Sequence, residues 1–263
     1  MELNMKGKVA MVAASSKGLG FGIAQELARE GAHVSIASRS QEGIEAAATQ
    51  LRQQGSGQVL SSVLDASSNE SIQAWTQRTL EHFGGVDCLV VNAGGPPPGR
   101  FVDFTDQDWQ TAFELNLMSA VRMIREVLPS MESRGGGAIL TVTSSSVKEP
   151  IDVLILSNVM RSGVTSLVKS LSLQLAPLGI RVNNLMPGRI DTDRVRSIDE
   201  AQAKAAGVPT EERRSQSQAA IPLKRYGTIE DFGKMAAFLL SDAASYVTGS
   251  SVAVDGGSIK TVW

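Results

Sequence analysis

Short apolar runs alternate with amphipathic stretches along the whole chain. The runs Val9–Ala13, 34–37, 59–64, Cys88–Val91, 138–142, 180–185 and Ser251–Val254 are too short for helices. Most are rich in β-branched residues, and they predict seven strands. Between them the apolar positions recur at helical spacing. Ile23, Ala24, Leu27 and Ala28 share one face of a helix that starts near residue 20 and stops at Gly31. A polar helix over Gln41–Gln54 ends at a Gly/Ser stop, and 72–83 carries Trp75, Thr79 and Leu80 in register. One long helix is predicted over 106–132, with the stripe Trp109, Phe113, Leu117, Ala120, Ile124 and Val127. Further helices are predicted over 156–175, stopped by Pro177 and Gly179, and over 228–240. This alternation predicts an α/β fold, a doubly wound parallel sheet of about seven strands with helices on both faces. The expectation is one domain over residues 1–263.

Two segments break the rhythm. Gly94-Gly95-Pro96-Pro97-Pro98-Gly99 is neither helix nor central strand. Residues 195–224 are polar, carry Glu211-Glu212-Arg213-Arg214, and are too long for a plain connection. They read as a helical excursion over a site, or as a solvated surface insertion.

Composition narrows the function classes. The chain has 263 residues, 42% hydrophobic and 20% charged, with a net charge of −2. These values suit a soluble globular protein and give no basic field for nucleic acid or an anionic membrane. No apolar run approaches the roughly 18 to 20 residues that span a bilayer. Met1 to Lys8 contain no apolar signal region, so a cytoplasmic location is expected. Cys88 is the only cysteine and lies in an apolar run, which reads as a buried core thiol. His33 and His82 are far apart, form no metal-ligand cluster with it, and are expected at the surface.

The candidate chemistry gathers at the ends of strands. The first strand runs into Ala14-Ser15-Ser16-Lys17-Gly18-Leu19-Gly20, where a helix begins. Glycines there let backbone amides approach a pyrophosphate at a helix N-terminus; a tight turn without a ligand has the same look. Asp65 follows the third strand, placed to accept from an adenine amino group. Asn92-Ala93-Gly94 ends the fourth strand and Pro187-Gly188 the sixth. The second strand ends Ser38-Arg39, where a chain that prefers NAD carries an acid for the ribose hydroxyls. Arg39 pairs instead with a 2′-phosphate, with Lys17 in reach of the same group, so NADP(H) is preferred over NAD(H). The alternative is that both are ordinary surface cations.

With these motifs the chain resembles the short-chain dehydrogenase/reductase family over nearly its whole length, and in particular chains described as 3-oxoacyl-acyl-carrier-protein reductase-like. The family's Thr-Gly-x-x-x-Gly-x-Gly turn matches residues 13–20, with Ala14 where the family has glycine. Asn-Asn-Ala-Gly matches residues 91–94, and the C-terminal Asp-Gly-Gly matches Asp255-Gly256-Gly257. The resemblance implies a Rossmann-type sheet. It implies a cofactor site built from Ala14, Ser16, Lys17, Gly18, Leu19, Gly20, Arg39, Asp65, Asn92, Ala93, Gly94, Arg161, Pro187, Gly188, Ile190 and Thr192. Thr192 stands where the nicotinamide carboxamide is held. The helices over 106–132 and 156–175 resemble those that form a four-helix interface in the family's tetramers, so a homotetramer is expected; otherwise their apolar stripes only cover the sheet.

The catalytic signature is half kept. The family's asparagine matches Asn116, which supports a helix backbone and a water chain or is a structural amide. Its serine matches Ser144, at the family spacing from position 157, although Thr143, Ser145 and Ser146 make a one-residue shift possible. The expected Tyr-x-x-x-Lys reads Ser157-Asn158-Val159-Met160-Arg161, and the flanking residues align without a gap. Tyr226 and Tyr246 are the only tyrosines, both in C-terminal segments that do not normally face the nicotinamide. A serine hydroxyl is a far poorer acid than a phenol of pKa about 10, and losing a general acid typically costs about 10² to 10⁴ in rate. Arg161 lies one helical turn from Ser157 and can hold the nicotinamide ribose and stabilise negative charge. Lys148, four residues after Ser144, is a candidate substitute acid or anion holder, with Asp152 on the same loop; a surface lysine is the alternative.

Three functions follow. The first is an NADP(H)-dependent oxidoreductase that interconverts a small-molecule carbonyl and alcohol with altered proton-transfer residues. The second is a non-catalytic NADP(H)-binding sensor or assembly partner. The third is another reaction in the same site, such as dehydration or isomerisation.

Overall fold

The computed structural model describes residues 2–262. Seven strands, β1 (Val9–Ala13), β2 (His33–Ser38), β3 (Val59–Val63), β4 (Cys88–Val91), β5 (Gly137–Val142), β6 (Ile180–Pro187) and β7 (Ser251–Val254), form one sheet in the order β3-β2-β1-β4-β5-β6-β7. Every pairing is parallel. Each crossover therefore needs a helix laid on one face. The helices are α1 (Gly18–Arg29), α2 (Gln41–Gln54), α3 (Asn69–Phe83), α4 (Asp106–Phe113), α5 (Ser119–Ser133), α6 (Ile155–Leu175), α7 (Asp193–Ala206), α8 (Thr210–Ala220) and α9 (Ile229–Leu240). This is the doubly wound, Rossmann-type sheet expected from the apolar pattern.

Both faces of the sheet are buried. One packs Val12, Ile36 and Leu140 against Ile23 and Leu27 of α1, Ile44 and Leu51 of α2, and Phe232 and Leu240 of α9. The other packs Met11, Leu89 and Ile139 against Trp75 of α3, Ile124 and Val127 of α5, and Val164 and Val168 of α6. Helices α1 and α9 cross at glycines: a Cβ on Gly22 would lie 2.5 Å from the Ile229 carbonyl oxygen, and one on Gly233 2.4 Å from that of Gly22. Cys88 is buried, and burial pushes its thiol up to about 12, so it is an inert core residue as expected. His82 is exposed, whereas His33 is half-buried, stacked on Phe83 with its Nδ1 accepting from the Gln58 amide.

Helix ends obey local chemistry. Ser40 and Ser68 accept from the amides of Gly43 and Ser71, and Thr105 and Thr228 form capping boxes with Asp108 and Asp231.

Two expectations need correction. The helix predicted over 106–132 is not continuous: a π-helical turn over Glu114–Met118 separates α4 from α5. A period of 3.6 cannot reveal one extra residue in a turn, because the apolar stripe resumes beyond it. The strand predicted over 34–37 begins at His33 and runs to Ser38, since edge residues pair through backbone whatever their side chains. The excursion over 195–224 is helical as expected, formed by most of α7 and by α8.

Candidate active site

Strand order reverses between β1 and its two neighbours, β2 and β4, so a crevice opens at the carboxyl ends of β1 and β4. Ser15 pins the turn on the β1 side. Its buried hydroxyl donates to the Val12 carbonyl at 2.7 Å and accepts from the Ala37 amide at 3.1 Å. Asn92, just past β4, braces the same turn, with its Nδ2 3.4 Å from the carbonyls of Ala13 and Ala14. Ala14 is held at φ 49°, the left-handed region, which is costly for a residue with a Cβ. Gly20 has no room for a side chain, because a Cβ there would lie 2.4 Å from the Ala14 oxygen.

These residues fit a dinucleotide. Lys17, the N-cap of α1, offers no side-chain acceptor, so the first amides of α1 stay free for an anion. Gly18 adopts φ 62°, and nothing lies within 4 Å of a Cβ built on Gly94. That leaves an open, glycine-lined cradle between turn and β4. Thr192 caps α7 by accepting from the Val195 amide, and its methyl would sit 3.6 Å from a Cβ on Gly18. Leu19 and Ser16 are half-buried beside the turn. Pro187 ends β6, and Gly188 binds the Val254 carbonyl where a Cβ would collide with Asp255. The Ile190 side chain is buried in the core, so only its backbone is available to a ligand.

At the adenosine end, Arg39 is exposed and makes no ion pair or hydrogen bond with the described residues. The exposed Asp65 accepts from the amide and hydroxyl of Ser67, which hold its carboxyl below the usual range, with help from the Arg39 charge. Lys17 is less free than the sequence implied: its Nζ pairs with Asp193 at 2.9 Å.

At the other end of the crevice, Ser157 and Arg161 meet as their one-turn spacing requires. Arg161 Nε donates to Ser157 Oγ at 3.2 Å, and its other nitrogens donate to the carbonyls of Val142 at 2.9 Å and Ala93 at 3.4 Å. The guanidinium thus spans the ends of β4 and β5. Burial, then the charge of Arg194, pulls it down to about 10, so it remains a cation at neutral pH. Ser157 is buried and its oxygen accepts from Arg161, which leaves its proton available to a substrate oxygen. Ser144, immediately past β5, accepts from the Ser146 amide at 3.1 Å. The end of β5 is fixed by buried Asn184, whose Oδ1 accepts from Thr141 and Thr143. Asn116 lies in the π-turn and donates to the Gly94 carbonyl at 2.9 Å, while its buried Oδ1 has no partner among the described residues.

Lys148 stands outside these hydrogen bonds. It lines a cavity of about 300 Å³ with Met186, Ser251, Asp255 and the C-terminal segment, and no hydrogen bond joins it to Ser144, Ser157 or Arg161. Asp152 is exposed. Arg194, not singled out from the sequence, lies against Gly95: a Cβ there would be 2.6 Å from its guanidinium. The available signal was its place two residues past Thr192, on the first turn of α7.

Residues 13–258 match the family model described as enoyl-(acyl carrier protein) reductase. The chain belongs to the short-chain dehydrogenase/reductase family. Within this oxidoreductase family it is 35% identical over 257 residues to pig dehydrogenase/reductase SDR family member 4, covering 97% of this chain and 88% of that protein. L-sorbose reductase from Gluconobacter frateurii, solved with NADPH and L-sorbose, superposes with a TM-score of 0.95 at 32% identity over 100% of both chains. An actinorhodin polyketide ketoreductase variant with NADPH superposes with a TM-score of 0.92 at 31% identity, over 97% of this chain and 98% of that one. The fold of this family member therefore stands beside those of NADPH-bound reductases.

Proposed function

We propose that the protein is a single-domain, NADP(H)-dependent oxidoreductase that interconverts a small-molecule carbonyl and the corresponding alcohol. One observation carries the reading: the buried Ser157 hydroxyl accepts from the Arg161 cation at 3.2 Å, and the same guanidinium reaches the Ala93 carbonyl beside the open space at Gly94. When bound, NADPH would supply the hydride. The turn of residues 14–20 and the α1 amides would hold its pyrophosphate, Arg39 its 2′-phosphate, Asp65 its adenine, and Thr192 and Arg161 its nicotinamide end.

The chain's own residues then handle the charge that develops on the substrate oxygen. Ser157 donates a hydrogen bond to it, and Arg161 stabilises it electrostatically across a short distance. The proton that completes the alcohol comes from solvent, for which Ser144 and the free Oδ1 of Asn116 offer hydrogen-bonding positions. Serine replaces a phenol in this role, so turnover is slower than the same scaffold allows.

Exposed Val159 and Leu173 on α6 support burial of that face in a homotetramer, which the mass in solution tests. The single buried thiol supports a reducing, cytoplasmic compartment.

The test is NADPH consumption across a panel of ketones, aldehydes and 3-oxoacyl thioesters. Turnover with product alcohol supports the reading. Tight NADPH binding with no turnover on any of them rejects it in favour of a non-catalytic NADP(H)-binding protein, the reading that the replaced Tyr and Lys favour.

A further inference from the structure

The positive charge in the crevice has no counter-charge. Arg161 donates only to a hydroxyl and two backbone carbonyls. Arg194 makes no hydrogen bond or ion pair with the described residues, and its two terminal nitrogens would lie 2.6 and 2.7 Å from a Cβ on Gly95. Ala93 and Gly95 are two residues apart, so both guanidiniums border one short loop. Each makes the other more costly, and the charge of Arg194 is among the causes that weaken the hold of Arg161 on its proton.

The carboxylates nearest in sequence are committed elsewhere. Asp191 pairs with Arg196 and Arg214, Asp193 with Lys17 and Arg196, and Asp199 with Arg189 and the Tyr226 hydroxyl. Arg161 is desolvated with no carboxylate to balance its charge, which is costly, and the exposed Arg194 beside it adds a second positive charge. A ligand that brings an anion to this point removes that cost.

The dinucleotide has its own sites for its phosphates. Thr192 faces Gly18 of the phosphate turn, whereas Arg194, two residues on, faces Gly95 beyond the open space at Gly94. We propose that Arg161 and Arg194 together receive an anionic group of the substrate, a carboxylate or phosphate ester close to the reducible carbonyl. The substrate class is then an oxo acid or a phosphorylated ketone rather than a neutral ketone. This rests on the carbonyl-reducing reading above, and Arg194 is the residue that sets specificity.

The test compares matched pairs: benzoylformate with its methyl ester, and dihydroxyacetone phosphate with dihydroxyacetone. The wild type should prefer the anionic member of one pair, and which pair responds separates carboxylate from phosphate. Arg194→Met keeps the aliphatic stem at an exposed, unpaired position, so the fold survives. It should lower kcat/KM for the anionic member by about 10²-fold, the loss of charge-assisted hydrogen bonds. The neutral member and the NADPH Kd should change by less than about threefold, and Arg194→Lys should restore part of the loss.

Binding of benzoylformate, dihydroxyacetone phosphate and oxalate to the NADPH complex, followed by calorimetry, gives a readout that needs no turnover. Anion binding that Arg194→Met abolishes, without turnover of any carbonyl, keeps the two-arginine anion site and overturns both the carbonyl-reducing reading and the substrate class drawn from it. Equal treatment of charged and neutral partners by the wild type, no anion binding to the NADPH complex, or a loss of NADPH affinity as large as the loss of anion affinity overturns the proposal.

Discussion

Replacing Arg39 by aspartate should exchange the cofactor preference, and the structure sets the size of the exchange. Arg39 stands exposed past the end of β2 with no partner to release. Its hydrogen bonds to a 2′-phosphate are charge-assisted, worth about 1.5 to 3 kcal/mol. A carboxylate in its place adds repulsion, about 1 kcal/mol for charges near 4 Å in water and up to about 4 at a drier surface. Exposure puts this site at the low end. The NADPH loss is therefore about 2.5 to 4 kcal/mol, or roughly 10² to 10³ in Kd at about 1.4 kcal/mol per decade. NADH has no phosphate to repel, and the new carboxylate accepts from the ribose hydroxyls, a gain of about 0.5 to 1.5 kcal/mol.

Fluorescence titration of the two reduced cofactors measures both changes. Because the contact is exposed, the wild-type preference for NADPH should also shrink as salt rises from about 0.05 to 0.5 M. Lys17→Met serves as a comparison: its ammonium already pairs with Asp193, so its loss should cost less than that of Arg39. Equal loss of NADPH and NADH in the Arg39→Asp variant would refute the assignment of the 2′-phosphate to this residue.

Ala14→Gly should stabilise the protein, because relief of about 1 to 2 kcal/mol of left-handed strain outweighs about 0.4 to 1 kcal/mol of added chain entropy in the unfolded state. A Tm rise of about 1 to 4 °C is expected, and a fall would show that the turn is unstrained. The double change Ser157→Tyr with Arg161→Lys should raise kcat on neutral ketones by about 10² or more, measured by NADPH oxidation; no gain would mean that proton supply is not what limits the wild type. Asp231 is held down to about 2 by Arg225 and its capping contacts at Thr228. Its folded pKa lies below the unfolded value of about 3.9, so its stabilisation is present above that value and is lost as pH falls towards 2. Asp231→Asn should therefore lower Tm at pH 7 and match the wild type near pH 2; a constant difference across that window would locate the effect in packing instead.

The sheet was legible because burial on both faces forces apolar runs, and the helices because one stripe of each must face that sheet. The tight glycine turn after β1 was legible because Gly18 and Gly20 occupy positions where φ or a 2.4 Å approach admits no ordinary side chain. The π-turn at Asn116 was not, since it leaves the apolar stripe in phase on both sides. Neither was the role of Arg194. A cation on a polar helix reads as solvated, and only the fold reveals that α7 begins against Gly95. Lys148 was singled out by its distance along the chain alone. Four residues from Ser144 along the chain is close in sequence, but the short 3₁₀ turn over Ser145–Val147 precedes it, and the side chain lines the cavity beside β7.

Ser157 and Arg161, where the family resemblance leads one to expect Tyr and Lys, change what the proposed site must obtain from its ligand. A phenol beside an ammonium provides both a proton and a field. Ser157 beside Arg161 provides mainly the field, since the hydroxyl is a weak acid and the guanidinium, even drawn down to about 10, holds its proton at neutral pH. Catalysis by such a pair relies on stabilising developing negative charge rather than on rapid protonation. That strategy needs a local positive field, which the proposed site would draw from desolvated Arg161 and exposed Arg194 around the loop from Ala93 to Gly95, with no carboxylate paired to either among the described residues. It also carries a penalty, because the same field repels the empty site from within. An anionic substrate resolves the conflict by neutralising part of the charge on binding while placing its carbonyl against the rest. On this proposal Ser157, Arg161 and Arg194 act together, and a site that bound neutral ketones best would break the connection between them.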